Sequence, residues 1–488
     1  MNGFGSVSRG AVPLTRAVGL LSLGFLLVFT GCASLKESQT PYEFDVEAQA
    51  LSEEADGTVS TTLPELGEDA TLPDYLAYAA LRNPGLRATF NEWRAELEMV
   101  PQARSLPDPR FTYVHYIETV ETRVGPQEQS FTLMQTFPWL GKLRDRGEVA
   151  FQKSEAARQR YEAAKLRLFY KVKHAYYEYY YLARAISVTE RDIGLVSNLE
   201  EVARTRYQVG EVPYSAVIKA QVELGVLEDA LESLRDLVVP TLAVLNEALG
   251  RPPDAYVPRP KAITADEVVF RDEMITEDLK RLNPELLALD SMTSKEEAAV
   301  GLSRQGYFPD ITLGATLVRT GEALDPGMED SGKDPVMASL SLNLPLWIGR
   351  YRAAEREARA RLRASARRRE DKANQLLTDL KFAVFHFRSA ERKADLYGNS
   401  LIPKAEQALA ASQRAFAGGE ADFFDLIEAQ RTLLEFQLAH ERALADRAQR
   451  LAEIEMLVGR SIERRRGGAQ AEQTGSPDAT GSRATVSG

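Results

Sequence analysis

The chain has 488 residues, with 71 acidic side chains against 60 basic ones, and its formal net charge of -11 argues against nucleic acid as a partner. Its mean hydropathy of -0.29 is too polar for a bundle of membrane helices, and beyond the N-terminus no apolar run reaches the length of a spanning helix. Any membrane crossing must then use a closed β-barrel, the other structure that satisfies its own backbone in hydrocarbon.

Residues 1–31 read as a signal peptide. Arg9 and Arg16 supply a positive start, and the apolar run from Val18 to Phe29 is too short for an ordinary membrane helix. The run ends at Phe29-Thr30-Gly31-Cys32, and Cys32 is the single cysteine, which excludes an internal disulfide framework. The segment resembles a bacterial lipobox, with Phe29 where an aliphatic residue is usual. The resemblance implies cleavage before Cys32 and lipidation of it. Ala33 in place of Asp implies sorting to the outer membrane. Residues 32–71 are acidic and polar, as suits a tether.

From there the chain repeats itself. Asn83-Pro84-Gly85-Leu86 recurs as Asn283-Pro284-Glu285-Leu286, and Pro109 as Pro309, both 200 residues on. FPWLGK, holding Pro138 and Gly141, pairs with LPLWIGR, holding Pro345 and Gly349. Gly210-Glu211 pairs with Gly419-Glu420, Ala220-Gln221 with Ala429-Gln430, and Leu249-Gly250-Arg251 with Val458-Gly459-Arg460. The offset of these last pairs is 209. It grows between the two alternating segments of each half, where a longer loop follows Val318 than follows Ile117. An insertion of that kind belongs at a hairpin tip.

Each half has one grammar, giving a first repeat over 72–262 and a second over 263–462. Helical stretches are expected over 72–104 and 274–306. Alternating segments follow at 111–118 and 130–137, and at 311–318 and 336–344. In the last of these Val336, Ala338, Leu340, Leu342 and Leu344 share one face. A period of two means strand, and the lengths are close to the ~9–11 residues of a tilted membrane strand. The loops 119–128 and 319–335 are then the outward tips. Long charged helices are expected over 143–208 and 350–416, each roughly 100 Å if continuous. Second helices follow over 214–249 and 423–458. In the first of them Val217, Ala220, Leu224, Leu227, Leu231, Leu234 and Val238 keep a 3,4 spacing, which makes a left-handed supercoiled seam. Leu426, Ala429, Leu433 and Phe436 begin the sister seam. Pro240 should kink or interrupt its helix. Residues 463–488 are rich in Gly, Ser, Ala and Thr and are expected to be disordered.

These duplicated features, in order, resemble the TolC-like outer membrane efflux proteins over about 72–460. The resemblance rests on the paired NP-x-L starts, the FPWLGK and LPLWIGR exits, and the tips YQVGEVPYSAVIKAQ and FAGGEADFFDLIEAQ. It implies a mostly α fold with a small β part. Three chains form a 12-stranded outer membrane barrel continued by a periplasmic α-helical barrel. Physics agrees on closure: four strands cannot enclose a useful pore, whereas twelve can. Trp139 and Trp347 follow the second strand of each half, at the expected periplasmic rim or in ordinary packing at the joint.

The implied function is a passive exit duct for a tripartite efflux or type I secretion-like system, carrying heavy-metal cations or drugs. The implied partners are a periplasmic adaptor and an inner-membrane pump of the resistance-nodulation-division type, with outer membrane lipid around the homotrimer. Asp425 and Glu428, three residues apart on one helix face, match two acidic residues that narrow the tunnel entrance in the family; Glu428 stands where Asp is found in the best-known member. Three copies would stack them as rings that favour cations. The equivalent places in the first half are Ala216 and Lys219. Gly210, Glu211, Gly418, Gly419 and Glu420 form the tips that meet the adaptor, with the glycines turning the chain at positive φ.

No cofactor, metal site or catalytic group is expected. His115, His174, His386 and His440 lie away from second ligands at metal-site spacing, and His440 on a seam reads as packed. Tyr176, Tyr177, Tyr179, Tyr180 and Tyr181 read as core. Two other classes compete. A periplasmic adaptor would carry one hairpin inside β-rich domains, and a structural coiled-coil lipoprotein would have no use for four membrane-length alternating segments.

Overall fold

A computed structural model describes residues 66–260, 267–325 and 327–465; Cys32 and most of the expected tether lie outside them. Each half opens with two helices rather than one. They are α1 (Leu72–Arg82) and α2 (Pro84–Arg104) in the first half, α5 (Asp272–Leu282) and α6 (Pro284–Gln305) in the second. The break falls at the repeated Asn-Pro, because the residue before a proline is pushed out of the helical region. The two expected unbroken helices, 72–104 and 274–306, are corrected accordingly.

The two asparagines explain the repeated motif. Asn83 Oδ1 accepts the Leu86 amide at 2.9 Å and its Nδ2 donates to the Ala248 carbonyl at 3.0 Å. Asn283 Oδ1 accepts the amides of Glu285 and Leu286, and its Nδ2 donates to the Leu457 carbonyl at 2.8 Å. Each caps its own helix and ties it to the end of a distant one. Gly459, at φ +88, lets that distant end approach: a Cβ there would sit 2.8 Å from the Leu282 carbonyl oxygen.

The strands are β1 (Arg110–Thr122), β2 (Gly125–Phe137), β4 (Ile311–Thr320) and β5 (Val336–Leu342), with a short β3 (Glu267–Val268) pairing β6 (Arg464–Arg465) elsewhere. The first four form one antiparallel sheet in the order β1-β2-β4-β5. The first hairpin is longer than the alternation suggested, and its expected loop over 119–128 shrinks to a turn between Thr122 and Gly125. β5 stops two residues early. Register sorts the faces. Phe111, Tyr113, Phe131, Leu133, Ala315, Leu317, Val336 and Ala338 lie opposite one another on one face. The other carries hydroxyls, with Thr132 bonded to Thr316 at 3.0 Å and Thr136 to Thr312 at 2.9 Å. An apolar face and a polar face are what lipid and a wet lumen require.

Below the sheet run α3 (Lys142–Gln208), 67 residues long, and α4 (Tyr214–Leu249), which close the first hairpin. The second comprises α7 (Ile348–Leu396), a π turn (Tyr397–Leu401), α8 (Ile402–Ala417) and α9 (Phe423–Val458). The expected continuous helix thus carries a one-residue widening. Pro403 has no N–H and its ring crowds the carbonyl four residues back, so the Ile402 amide bonds the Tyr397 carbonyl instead. Pro240, in contrast, leaves α4 uninterrupted. The seam of α4 is as expected: Val217, Ala220, Leu227 and Leu231 are buried, while the off-seam Val222 and Val226 are exposed. It packs against Val188, Val196 and Ala203 of α3. Tyr176, Tyr177, Tyr179 and Tyr180 are buried in α3, and Tyr176 meets Tyr75 at 5.4 Å between ring centroids. His440 lies against Gly398 of the π turn.

Replacing Asn283 by Ala removes a cap and strands the Leu457 carbonyl in a buried site. The expected loss is about 2 kcal/mol, read as a lowered denaturation midpoint by circular dichroism. Asn83→Ala should lose less, because Asn83 is only half-buried.

Candidate functional site

The free ends of the two hairpins carry most of the residues singled out from the sequence. Both turns use the same closure. At the first, Gly210 (φ +79) donates to the Tyr207 carbonyl at 3.0 Å and Glu211 to the Arg206 carbonyl at 2.9 Å. At the second, Gly419 (φ +75) donates to Phe416 at 3.1 Å and Glu420 to Ala415 at 2.8 Å. This pair of bonds satisfies the last carbonyls of a helix and needs a left-handed residue, which glycine supplies without strain. Gly418 has φ -79 and is right-handed, so only Gly419 makes the second reversal. Glu211, Gly418 and Glu420 are exposed.

Asp425 and Glu428 lie in the first turn and a half of α9. Phe423, Leu426 and Ile427 are buried, so the two carboxylates project from the opposite, exposed side. Asp425 also sits where a helix N-terminus favours negative charge. Glu428 is 3.7 Å from the Arg431 guanidinium, so part of its charge is answered within the chain. At the equivalent places in the first hairpin, Ala216 is fully buried and Lys219 stands over the Phe424 ring at 5.8 Å. One tip is acidic and its sister is not.

Sequence reasoning missed how the two tips are joined. Arg206, at the end of α3, donates to the Phe416 carbonyl at 2.7 Å and to the Ala417 carbonyl at 3.0 Å, and covers the Phe416 ring at 4.6 Å. It answers the open carbonyl end of the other hairpin's helix with a full positive charge. Farther along, Glu223 of α4 binds Arg431 of α9. Glu441 binds Arg184 at 2.8 Å, and Glu455 binds Lys173 at 2.6 Å. These polar contacts between hairpins stand beside an apolar cluster that draws on both, with Val188, Val217 and Leu227 of the first and Leu409, Phe416 and Leu426 of the second.

The repeated Ala-Gln pair was the available signal. Gln221 donates to Glu200 at 2.9 Å, and Gln430 donates to Asp192; both acceptors are on α3. The two carboxylates differ. Arg204 and Gln221 hold Glu200 below its ordinary range, whereas burial pushes Asp192 up, against the opposing Gln430 hydrogen bond and with a smaller upward push from Glu223.

Above, at the joint of sheet and helices, Asp310 binds Lys142 at 2.7 Å and accepts the Trp139 amide at 2.8 Å. Burial raises the Asp310 pKa, but these donors outweigh it and hold the carboxyl below its usual range. Trp139 stacks on Phe308 with ring centroids 5.0 Å apart and planes 8° from parallel, so it packs at the joint. Trp347 is 76 % exposed. Among the described residues no group of three His, Cys, Asp or Glu side chains is placed to hold a metal ion, and no helix is long and apolar enough to cross a membrane.

The raised Asp192 pKa has a definite sign. A carboxyl with a folded pKa above its unfolded value near 4 binds protons more tightly when folded. Its contribution to stability is therefore full at low pH and lost as pH rises through the folded pKa. Asp192→Asn should raise the melting temperature at neutral pH, and the difference from wild type should shrink towards pH 4. Melting curves across this range check it.

Comparison with known proteins places these features. The chain matches the outer membrane efflux protein family twice, over residues 76–251 and 276–460. The cobalt-zinc-cadmium resistance protein CzcC of Cupriavidus metallidurans is 21% identical over 417 residues, covering 85% of this chain and 96% of that protein. Nodulation protein T of Rhizobium leguminosarum bv. trifolii is 21% identical over 373 residues, covering 74% and 79%. Among solved structures, CusC superposes with a TM-score of 0.70 at 13% identity, covering 80% of this chain and 92% of that one. VceC of Vibrio cholerae gives 0.66 at 20% identity, covering 80% and 97%.

Proposed function

We infer cargo, partners and assembly from one premise: the chain belongs to the outer membrane efflux protein family, and it is the outer membrane channel of an efflux system. Three copies close a twelve-stranded barrel in the outer membrane, continued into the periplasm by a tube of the long helices. The observation that carries this reading is the four-stranded sheet, apolar on one face and hydroxyl-lined on the other, with β1 and β5 at its edges. Such a sheet in lipid needs its edges paired. The duct is passive; the loops at 123–124 and 321–335 face outward.

The cargo is a heavy-metal cation. Two facts support this: the likeness to a cobalt-zinc-cadmium resistance protein over most of both chains, and the acidic tip. Asp425 and Glu428 ring the periplasmic constriction, where scarce water screens charge poorly. The tips at Gly210, Glu211, Gly418, Gly419 and Glu420 meet a periplasmic adaptor that links the duct to an inner-membrane pump of the resistance-nodulation-division type. Lipid on Cys32 anchors the chain in the outer membrane.

Planar-bilayer recordings test the constriction. Asp425→Asn with Glu428→Gln should lower cation-over-anion selectivity several-fold and weaken block by multivalent cations, with the trimer unchanged. Equal selectivity and block in wild type and variant would return both residues to a solvated helix face. For the anchor, intact mass should reveal loss of residues 1–31 and added acyl mass; an unacylated mature chain overturns it.

A further inference from the structure

The duplication makes a second use of the joint at Asp310. Around the upper body, α2 packs on α3, α3 on α6 and α6 on α7, and the strands follow in the same sense as β1-β2-β4-β5. The outermost elements, α2 with β1 and α7 with β5, have no neighbour beyond them in these two orders. The first half joins the second through α3 against α6 and β2 against β4. In a closed ring, the second half must join the first half of the next copy through the corresponding surfaces.

The inner joint is specific. An exit motif, Trp139-Leu140-Gly141-Lys142, grips a lead-in motif, Phe308-Pro309-Asp310. Trp139 stacks on Phe308. The Trp139 amide and Lys142 Nζ both donate to Asp310 Oδ1, and Lys142 Nζ also donates to the Phe308 carbonyl at 3.1 Å. The outer surfaces carry the same two motifs. The second exit is Trp347-Ile348-Gly349-Arg350, and the first lead-in is Leu106-Pro107-Asp108, whose likeness to Phe308-Pro309-Asp310 pairs Pro309 with Pro107 in place of Pro109. In the single chain Trp347 and Leu106 are 76 % and 40 % exposed, and the exposed Asp108 and Arg350 side chains enter no ion pair among the described residues.

We propose that Asp108 of one copy is the anchor for Arg350 of the next, with Trp347 packed over Leu106, so that each inter-chain joint rebuilds the Lys142–Asp310 joint found inside the chain. This rests on the reading that three copies close one channel, and it names the contact that holds them. The guanidinium is suited to this outer site, because it keeps its charge and can grip a carboxylate with two parallel bonds.

Charge reversal tests the contact on the full-length, detergent-purified protein. Asp108→Arg or Arg350→Asp alone should abolish the trimer band in mild SDS at temperatures where wild type keeps it, and the double reversal should restore it. A second measurement stands if a reversal fails to fold. With Asp108→Cys and Arg350→Cys in one chain, a short bismaleimide should drive most chains into a covalent trimer. Neither single variant, nor the parent with its Cys32, should do so. A trimer by native mass that yields no covalent trimer, or a double reversal as weak as the singles, overturns the contact while leaving the channel reading intact. A wild-type protein that is not a trimer removes both.

Discussion

A β-sheet placed in hydrocarbon has nowhere to put the N–H and C=O groups of its edge strands, and each such group left unpaired costs several kcal/mol. The sheet of this chain has β1 and β5 as its edges. The other large features follow from that constraint. Closing the edges requires further copies, and closing a ring of copies requires each helix below the sheet to find a neighbour on both sides. The internal duplication meets both demands with one kind of joint, used within the chain and between chains. At the joint inside the chain, where strand passes into helix, Lys142 pairs with Asp310.

The long helices meet through apolar contact and charge together. Inside each hairpin the contact is an apolar heptad seam, with Val217, Leu227 and Leu426 each 4 % exposed or less, flanked by ion pairs such as Lys171 with Glu247 and Arg447 with Glu391. Between the hairpins the apolar cluster continues from Val217 and Leu227 to Phe416 and Leu426, beside the pairs Glu223 with Arg431, Glu441 with Arg184 and Glu455 with Lys173, while Arg206 donates to two carbonyls. Burial of apolar area is non-directional and holds the helices together. Charged hydrogen bonds are directional, and a buried carboxylate that loses its partner is costly. The apolar contacts thus hold the helical body together, and the polar contacts set how one hairpin lies on the other.

Much of this was legible in the residue order. Period-two alternation located all four strands of the large sheet, and the heptads located the seams, because both patterns record which side of an element is buried. The ends of α4 and α9 were read to the residue, because a left-handed glycine at Gly250 and Gly459 stops a helix locally. The break at Asn83 and Asn283 was missed, although the motif itself was recognised: the meaning of the asparagine lies in a carbonyl 165 residues away in one half and 174 in the other. Of the two outcomes expected at Pro240, a kink or an interruption, the interruption does not occur, whereas Pro403, not singled out from the sequence, follows directly on the π turn. Each proline removes one backbone donor, and its position in the chain does not say how the helix around it is rearranged.

The tips divide along the same line. Gly210, Gly419 and the neighbouring Asp425 and Glu428 are within a few residues of a turn, so their place at the free end follows from the chain alone. Arg206 is also near a turn, but nothing in its neighbourhood points to Phe416, 210 residues on. Asp192 lies in mid-helix and became a buried carboxylate only because Gln430 and Glu223 come from two other helices. The sequence by itself thus determined the elements, their faces and the repeat, since these depend on spacing within one segment. The tertiary structure alone decided which charges meet, since that depends on how segments two hundred residues apart are laid side by side.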